Sequence, residues 1–436
     1  MSKEQSKNLS RRHFLRNSMI GAAGLTILPG FKAFSANNTI TLGFIGVGRQ
    51  AMYLLDSFLG IDGVKVLACS DVYGVKRKRF EKRVKDFYSK KGETIDVKTY
   101  EHYQDVLSNP EIDAVVIATP DHWHALIAID ACKAGKDIYL EKPLTFTIEE
   151  GKRLRKAVRK YDRILAVGSQ QRSDPAFQHA VKLVQDGKLG ELEKINAYIG
   201  APPTPYDLPK EIIPVDLNYD LWLGPNPYVQ FNHVLNPPIS LNPPKDEQIW
   251  GAWRWYRELG GGFTTDWGAH MFDIAQWAMG MDDSGPVKII PEGYEGAEAM
   301  TFVYGNGVKM YQQPFNEEMT KGVKFWGSDG WIEVARGYFK ASDKRLLPDI
   351  EEEKGPYETK IPHQLDFIAA IRERRDPRVS VETGHRTCTT CTLGNIAHEL
   401  GRPVQWNPQT EEFVEDPQAD LYMHREYRKG YNLPVL

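Results

Sequence analysis

An aspartate and a histidine behind a run of three glycines have the clearest capacity for chemistry in this chain. Asp266 and His270 stand four residues apart and follow the glycine triplet at 260–262. The surrounding sequence predicts a helix, on which positions i and i+4 share a face. A carboxylate beside an imidazole is suited to general acid–base catalysis near neutral pH. The glycines would allow the backbone to approach a ligand or another element closely.

A glycine-rich turn near the start of the chain is suited to binding a dinucleotide. The apolar residues 39–45 predict a strand, the turn reads Gly-Val-Gly-Arg-Gln-Ala, and a helix-compatible apolar stretch follows. The first glycine allows the tight turn, the second lets the pyrophosphate approach, and the small last residue permits close helix–strand packing. Amides at the start of the helix can then bind phosphate. We therefore expect cofactor contacts from Gly46, Val47, Gly48, Arg49, Gln50 and Ala51.

The end of the next predicted strand indicates which dinucleotide binds. Residues 64–70 predict a buried strand that leads to Asp71, twenty residues after Ala51, where the acid that binds the ribose hydroxyls belongs. A carboxylate at this position favours NAD and repels the 2′-phosphate of NADP. The basic run at 76–79 is close enough to reach such a phosphate, but the mixed charges that continue it favour a solvated helix face.

Residues 38–172 alternate between short apolar strands and helical stretches, which predicts a doubly wound α/β fold with a parallel sheet. Ligands of such sheets bind beyond the carboxyl ends of the strands. Two of these strands, at 114–119 and 137–140, end in residues with polar or unusual side chains. These residues are further candidate cofactor contacts: Thr119, Pro120, His124, Glu141 and Lys142.

From residue 173 onward the alternation is lost, and a second domain is predicted to extend to residue 436. The proline-rich stretch 202–244 is expected to form a lid or an interface arm, because such long irregular segments are usually functional. The irregular tail from Arg402 is expected to wrap the body of the protein or a neighbour.

Candidate substrate-binding residues lie at the start and in the middle of this second domain. Arg172 ends the last strand of the first domain, where it either reaches substrate or caps that strand at the surface. Aromatic rings with polar edges suit the mixed faces of a sugar, although a core under the loop explains each ring equally well. The aromatic candidates immediately before the glycine triplet are Trp253, Trp255 and Tyr256.

Two patterns that are typical of metal sites have competing explanations. Asp266, His270 and Asp273 could form an oxygen-rich site, but a dinucleotide already supplies an electrophile, and we expect no metal. Cys388 and Cys391 have C-x-x-C spacing, yet no second pair completes a zinc site. Small residues at a helix contact are the favoured interpretation of these cysteines.

The first 36 residues differ from the rest and are typical of an export signal. Residues 10–16 contain a twin-arginine pattern, an apolar stretch follows, and 33–35 resembles a cleavage site, whereas the alternative is a basic tail with a chance arginine pair. We therefore expect a periplasmic protein. Because NAD is made in the cytoplasm, an exported enzyme should fold around its cofactor before crossing and hold it tightly.

Length and composition indicate two domains behind that leader, with limits at 37–172 and 173–436. No apolar run reaches the roughly 18 residues of a membrane helix, so no transmembrane segment is expected. The chain carries a formal net charge of −3 and its leader is basic, so the remainder is more acidic still. An acidic surface is a poor nucleic-acid binder, which favours a small-molecule substrate.

The motifs together resemble the Gfo/Idh/MocA oxidoreductase family, named after glucose–fructose oxidoreductase and inositol dehydrogenase. The resemblance covers most of the chain behind the leader, and the segment 362–406 is similar to an exported bacterial branch. It implies an N-terminal Rossmann domain and a C-terminal α/β domain with a large, mainly antiparallel sheet. The resemblance rests on the turn at 46–51, Asp71, Thr119-Pro120 with His124, residues 134–143, and the glycine triplet with Asp266 and His270.

The resemblance also implies roles for the catalytic candidates. Lys142 would contact the reacting hydroxyl, His270 would exchange its proton, and Asp266 would hold substrate or the imidazole. The bond before Pro143 is often cis in this family, which would turn Lys142 into the cleft. Lys142, beside the positive charge of a nicotinamide, could then share a proton with His270. Asp121 stands where relatives commonly have Asn, which leaves its contact with the cofactor open.

Three functions remain open at this point. The first is an NAD-dependent oxidoreductase that acts on a ring hydroxyl of a sugar, glycoside or cyclitol. The second is a redox-neutral glycoside-processing enzyme that oxidises the ring, eliminates at the neighbouring carbon and returns the hydride. The third is a non-catalytic protein that binds NAD and sugar, against which the retained catalytic residues count. A homo-oligomer, either a dimer or a tetramer, is expected in each case.

Overall fold

The computed structural model describes residues 39–237, 239–241, 250–348 and 360–436, so the predicted leader lies outside the described residues. Its first sheet has six parallel strands in the order β3-β2-β1-β4-β5-β6. This is the order of a dinucleotide-binding sheet, in which the topology reverses between β1 and β4. The strands are β1 (Ile40–Ile45), β2 (Val64–Ser70), β3 (Lys98–Tyr100), β4 (Ala114–Ile117), β5 (Asp137–Leu140) and β6 (Leu165–Val167).

Helices connect these strands and cover both faces of the sheet, as the alternating pattern predicts. The first helix turns a stripe of apolar side chains, among them Leu54 and Phe58, into the core. The fifth begins at a capping box, in which Thr147 and Glu150 satisfy each other's backbone amides. The helices are α1 (Arg49–Leu59), α2 (Gly74–Lys90), α3 (Tyr103–Ser108), α4 (Asp121–Lys133) and α5 (Ile148–Lys160).

The second sheet has nine strands in the order β13-β12-β11-β7-β10-β9-β8-β14-β15. The pairing of β7 with β10 is parallel and the other pairings are antiparallel, which confirms the large, mainly antiparallel sheet. The strands are β7 (Leu192–Tyr198), β8 (Pro286–Ile290), β9 (Thr301–Tyr304), β10 (Lys309–Tyr311), β11 (Gly322–Gly327), β12 (Gly330–Ala335), β13 (Tyr338–Ala341), β14 (Val404–Asn407) and β15 (Glu412–Phe413).

Helices pack on one face of the second sheet around Phe272, Phe302 and Phe325, which are fully buried. The helices that contribute most to this core are α6 (Pro175–Gln185), α9 (Gly268–Ala278) and α11 (Val381–Leu400). The other helices behind residue 173 are α7 (Tyr219–Leu223), α8 (Gly262–Asp266), α10 (Lys360–Glu373) and α12 (Pro417–Asp420). Short 3₁₀ turns occur at Gln170–Ser173, Ala252–Trp255, Tyr294–Gly296, Lys344–Leu346 and Leu421–Met423.

The chain behind residue 173 also contributes to the first core, which a simple sequential division does not anticipate. Phe367 of α10 packs edge-on against Phe58 and Tyr139, at ring-centroid distances of 6.3 and 5.8 Å. The tail returns to the body as well, because Tyr427 donates a hydrogen bond to Glu150 at 2.6 Å. Helix α10 and the tail are therefore packed on the first domain, although they follow residue 173 in the sequence.

The C-x-x-C pair lies in the interior of α11, where both thiols are buried and not joined to each other. The Cys388 thiol donates to the Thr145 carbonyl at 3.1 Å, and Cys391 packs closely on Gly268. This placement agrees with small residues at a helix contact. Across the described ranges, no helix combines the length and apolarity that spanning a bilayer requires.

Candidate functional site

A cavity of about 880 Å³ opens at the carboxyl ends of the parallel strands, between them and the first helices of the second domain. It brings together most of the predicted site residues from both halves of the chain. Among the predicted cofactor contacts, those on its wall are Gly46, Gly48, Arg49, Gln50, Asp71, Thr119, Pro120, Glu141 and Lys142. The predicted catalytic residues Asp266 and His270 face it from the opposite side.

The glycine-rich turn has the geometry that its sequence predicts. Gly46 has φ +76°, and a Cβ there would lie 2.7–2.9 Å from atoms of Thr119, so only glycine fits the turn. Gly48 caps α1 and faces open space, with the Lys76 ammonium 3.9 Å from where a Cβ would stand. The first amides of α1 therefore point toward the cavity without a side-chain cap, as a phosphate-binding helix start requires.

Buried polar atoms without a partner in the described residues surround this turn. They are Nε and Nη1 of Arg49, Oγ of Ser70 and Oγ1 of Thr119, and all three residues line the cavity. Buried polar atoms are normally hydrogen-bonded, so this set indicates a polar ligand. The phosphate and hydroxyl oxygens of a dinucleotide would satisfy these atoms, and the residues present therefore fit that cofactor.

Asp71 is held rigidly at the end of β2. Its Oδ2 accepts from the Val47 amide at 2.8 Å, and its Oδ1 accepts from the Tyr73 amide at 2.9 Å. The basic run behind it is only partly the solvated face that the sequence favours. Lys76 turns into the cavity and donates to Asn236, and burial lowers its pKa. Lys76 differs from the expected solvated face because Asn236, in the proline-rich stretch 202–244 of the second domain, covers the start of α2.

Glu141 connects the glycine-rich turn to Lys142, the predicted catalytic lysine. Its Oε1 accepts from the Gln50 amide at 2.7 Å, and its Oε2 accepts from the backbone amide of Lys142 at 3.2 Å. Gly168 packs directly against this carboxylate, since a Cβ there would lie 2.9 Å from it. Glu141 is thereby fixed between the two binding loops.

Three predicted cofactor contacts lie behind the cavity wall. Val47 and Ala51 are fully buried, and Ala51 permits close packing of α1 on the sheet. His124 bridges the Thr119 carbonyl, at 3.0 Å, and the Pro143 carbonyl, at 2.8 Å. Burial lowers the pKa of His124 to about 4, against the two carbonyl contacts, which raise it, and the side chain ties the two loops together.

The predicted catalytic lysine, Lys142, is paired with the predicted aspartate. The Lys142–Pro143 bond is cis, and the lysine Nζ donates to Asp266 Oδ1 at 2.6 Å and to its carbonyl at 3.0 Å. Arg254 Nε lies 3.7 Å from the same carboxylate oxygen. Burial opposes ionisation of Asp266, but the charges of Lys142 and Arg254 outweigh it and lower the pKa.

The glycine triplet serves the close approach of two other backbone segments. A Cβ on Gly260 would lie 2.6 Å from the Arg254 Cα, and Gly262, at φ +67°, packs on Pro203. The single helix that the sequence predicts behind it is divided, because Asp266 ends α8 and α9 starts after Trp267. Among the described residues, Asp266 bonds Lys142 and not the imidazole.

His270 has its own partners on the second domain and the last Rossmann turn. Its Nε2 accepts from the Arg336 guanidinium at 3.1 Å. With the Gln171 amide oxygen turned toward Arg336, that oxygen accepts from the guanidinium at 2.9 and 3.0 Å, and the amide nitrogen and oxygen lie 2.5 and 3.3 Å from His270 Nδ1. Burial, then the charges of Arg336 and Lys142, lower the pKa of His270 well below its ordinary value. The imidazole is neutral, with its acceptor nitrogen on Nε2.

Several charged residues of the cavity were not identified as site residues from the sequence, and four of them lie near Lys142, Asp266 or His270. Arg254, Lys321 and Arg336 come from a 3₁₀ turn and from strand ends, where no motif marks them. Asp121 was noted in the sequence only because related proteins commonly have Asn at this position. It is buried at the start of α4, and burial raises its pKa to about 7 against the opposing charge of Lys142.

The predicted substrate contacts divide in the structure. Trp253 and Trp255 line the cavity, and Trp255 stacks on Phe263 at 4.1 Å between centroids. Tyr256 lies outside the cavity wall and packs edge-on against Tyr206 at 5.1 Å.

Arg172 is a correction to the predicted substrate contact. Its guanidinium is buried away from the cavity, where it forms two hydrogen bonds to Asp273 and two to Asp282, at 2.7–2.8 Å. Asp273 also accepts from the Thr387 hydroxyl at 2.8 Å. The carboxylate of Asp273 is thus committed to this network and does not face the same space as Asp266.

Two family models match the chain, one to each half. Residues 40–169 match the Gfo/Idh/MocA model described as an oxidoreductase family NAD-binding Rossmann fold. Residues 197–433 match the model described as an oxidoreductase family C-terminal alpha/beta domain.

Among curated proteins, the chain is similar over parts of its length to two functionally distinct relatives. It is 37% identical over 105 residues to scyllo-inositol 2-dehydrogenase (NAD(+)) of Bacillus subtilis, covering 23% of this chain and 31% of the relative. It is 30% identical over 167 residues to an alpha-N-acetylgalactosaminidase of Shewanella oneidensis, covering 33% of this chain and 35% of the relative. The chain spans less than half the length of these curated relatives.

Solved structures share the fold over a larger part of the chain. A levoglucosan dehydrogenase in complex with NADH and levoglucosan superposes with a TM-score of 0.57 at 19% identity, covering 84% of this chain and 99% of that one. A scyllo-inositol dehydrogenase from Lactobacillus casei with bound NAD(H) and scyllo-inositol gives a TM-score of 0.56 at 17% identity, with the same coverage. The chain is therefore a member of the Gfo/Idh/MocA oxidoreductase family and carries its NAD-binding Rossmann domain.

Proposed function

We propose that this protein oxidises a ring hydroxyl of a sugar, glycoside or cyclitol, with NAD as the hydride acceptor. One observation carries the proposal: the Lys142–Asp266 ion pair at 2.6 Å and the neutral His270 face the same cavity as the dinucleotide turn. The relatives named above act on such rings or bind them, which supports the substrate class. The retained ion pair and imidazole count against a protein that only binds NAD and sugar.

The residues divide the chemistry of the proposed reaction between them. NAD, when bound, takes up the hydride from the ring carbon that bears the hydroxyl. Lys142, oriented by Asp266, donates a hydrogen bond to the hydroxyl oxygen. His270 accepts the hydroxyl proton on Nε2, the nitrogen that now accepts from Arg336, so this arginine must give way to substrate. The carbon loses a hydride and the oxygen loses a proton, which leaves a ketone on the ring.

The direct test is whether added sugar reduces the cofactor. Purified protein is supplied with NAD and a panel of neutral and acidic sugars, glycosides and inositols, and NADH is followed by its absorbance. NADH formation together with a ring ketone in the mass spectrum supports the proposal. If no member of a broad panel yields NADH or a ketone, the proposed oxidation of a ring hydroxyl by NAD is wrong.

A redox-neutral glycoside-processing reaction is the second candidate, and the similarity to the alpha-N-acetylgalactosaminidase favours it. Transient oxidation acidifies the neighbouring ring carbon, and a neutral His270 is the available base for an elimination. In this case aryl glycosides release their phenol while the total NADH stays constant. Loss of the phenol signal after removal of the cofactor would distinguish this cycle from ordinary hydrolysis.

We further propose that the cofactor is NAD in preference to NADP, because Asp71 is fixed at the end of β2. Asp71→Ala should weaken NAD binding and narrow the preference over NADP, since Lys76 would then face the 2′-phosphate without a competing carboxylate. Calorimetry with both cofactors measures this shift. Asp71→Ala/Lys76→Met is the matched variant and should lose the gain for NADP, and equal wild-type affinities for the two cofactors would contradict the assignment.

We also propose that the protein is exported with a tightly held cofactor, because residues Arg11 and Arg12 form a twin-arginine pattern. Changing both arginines to lysine should leave the precursor in the cytoplasm with NAD bound. Cell fractionation and mass spectrometry of the purified native protein check both points. Export of the double variant at the wild-type level would refute the route.

A dimer or tetramer is the proposed assembly, and analytical ultracentrifugation measures it.

A further inference from the structure

Two cations stand side by side at one end of the second sheet. Lys321 directly precedes β11 and Arg336 directly follows β12, and these strands pair so that Gly322 lies opposite Ala335. Both side chains line the cavity. They converge on one indole, because the Lys321 ammonium lies 4.9 Å and the Arg336 guanidinium 4.8 Å from the ring centre of Trp267.

The acids at this end of the cavity are already engaged by other groups. Asp266 is shared by Lys142 and Arg254, at 2.6 and 3.7 Å. Asp174 accepts from the Ala176 amide at 2.9 Å, as the cap of α6. The raised pKa of Asp121, about 7, keeps it only partly ionised at neutral pH. Each of these acids therefore has other partners or a reduced charge.

Lys321 reaches this end of the cavity without an acidic partner of its own among the described residues. Its ammonium rests 4.0 Å from the ring centre of Phe263 and has no hydrogen bond or ion pair among the described residues. Burial lowers its pKa although Asp266 faces it. A charged group on a ligand would form strong, charge-assisted hydrogen bonds with both cations.

We propose that Lys321 and Arg336 bind an anionic substituent of the substrate, so that the preferred ring carries a carboxylate, sulfate or phosphate. The part that concerns the ring rests on the function proposed above, whereas the anion site does not. A cavity with apolar aromatic walls strengthens such an interaction, because fewer water molecules screen it. The anion would lie beside Trp267. In the sequence, Trp267 directly follows Asp266 and precedes His270 by three positions.

The test measures binding by quenching of tryptophan fluorescence in protein saturated with NAD, which fills the phosphate-binding turn. The probes are D-glucose, D-glucuronate, D-glucose 6-sulfate, D-glucose 6-phosphate and inorganic sulfate. At least one anionic sugar should bind roughly tenfold to a hundredfold more tightly than glucose, the usual effect of a charge-assisted hydrogen bond. The three anionic sugars distinguish carboxylate, sulfate and phosphate.

Variants of Lys321 decide whether this site is responsible. Lys321→Gln should reduce the preference to about one, Lys321→Arg should keep it, and Lys309→Gln, on the exposed face of β10, should leave it unchanged. A preference near one in the wild type, or one that survives in Lys321→Gln, overturns the proposal.

Inorganic sulfate separates this inference from the proposed function. Sulfate binding that depends on Lys321 supports the anion site even if no sugar is oxidised, and in that event only the proposed function fails. If neither sulfate nor any anionic sugar responds to Lys321→Gln, the anion site is refuted, whatever the enzyme oxidises.

Discussion

His270→Ala should lower turnover by roughly 10²–10⁴-fold, the usual contribution of a positioned acid–base group. The residue lies on α9, while the phosphate-binding turn precedes α1, so NAD affinity should remain unchanged. Its neutral imidazole, with an acceptor at Nε2, is the only site for the hydroxyl proton that the proposed mechanism uses. Turnover is measured as NADH formation on the best sugar of the panel, and cofactor affinity by calorimetry.

The matched control is His398→Ala, an exposed histidine on α11 that should retain full activity. Lys142→Ala should reduce turnover as strongly as His270→Ala, and the double variant should be little worse than either single one, because groups that act as a unit are not additive. Near-normal turnover in His270→Ala would contradict the mechanism. Independent, multiplying effects of the two changes would contradict the joint role.

The cofactor half of the site could be predicted from the sequence because its geometry is local. A strand, a G-x-G-x-x-A turn and a helix follow one another directly, and the conformation of Gly46 is required by the turn itself. Asp71 follows from the length of one βα unit. These features need no knowledge of distant contacts, and so they agree with the structure residue by residue.

The substrate half depends on contacts between distant parts of the chain. Lys321 and Arg336 reach the cavity only because β11 and β12 pair in one particular register. The i, i+4 spacing of Asp266 and His270 predicts their common side but not their partners, since Lys142 comes from the other sheet, 124 residues away in sequence. No local pattern specifies such pairings, which explains why the sequence marked Asp266 and His270 as candidates and missed the surrounding cations.

The corrected role of Arg172 leads to the second large prediction. Both Arg172 and Asp273 are buried. The Arg172 guanidinium donates two hydrogen bonds to Asp273 and two more to Asp282. Burial opposes the charge of Arg172, but the two carboxylates outweigh burial and raise its pKa. Arg172→Leu should therefore reduce the free energy of unfolding by about 3–5 kcal/mol, because it leaves the Asp273 carboxylate buried without its cation.

Chemical denaturation of the cofactor-free protein measures this loss, and Arg345→Leu is the matched control. Arg345 pairs with Asp343 at the surface, with 88% of its side chain exposed, and its removal should leave the free energy of unfolding nearly unchanged. Arg172→Leu/Asp273→Leu should recover part of the lost stability, because it removes the buried charge that the single change leaves without a partner. The KM of the folded fraction of Arg172→Leu should equal that of the wild type, since the guanidinium does not line the cavity. A raised KM with unchanged stability would instead restore Arg172 as a substrate contact.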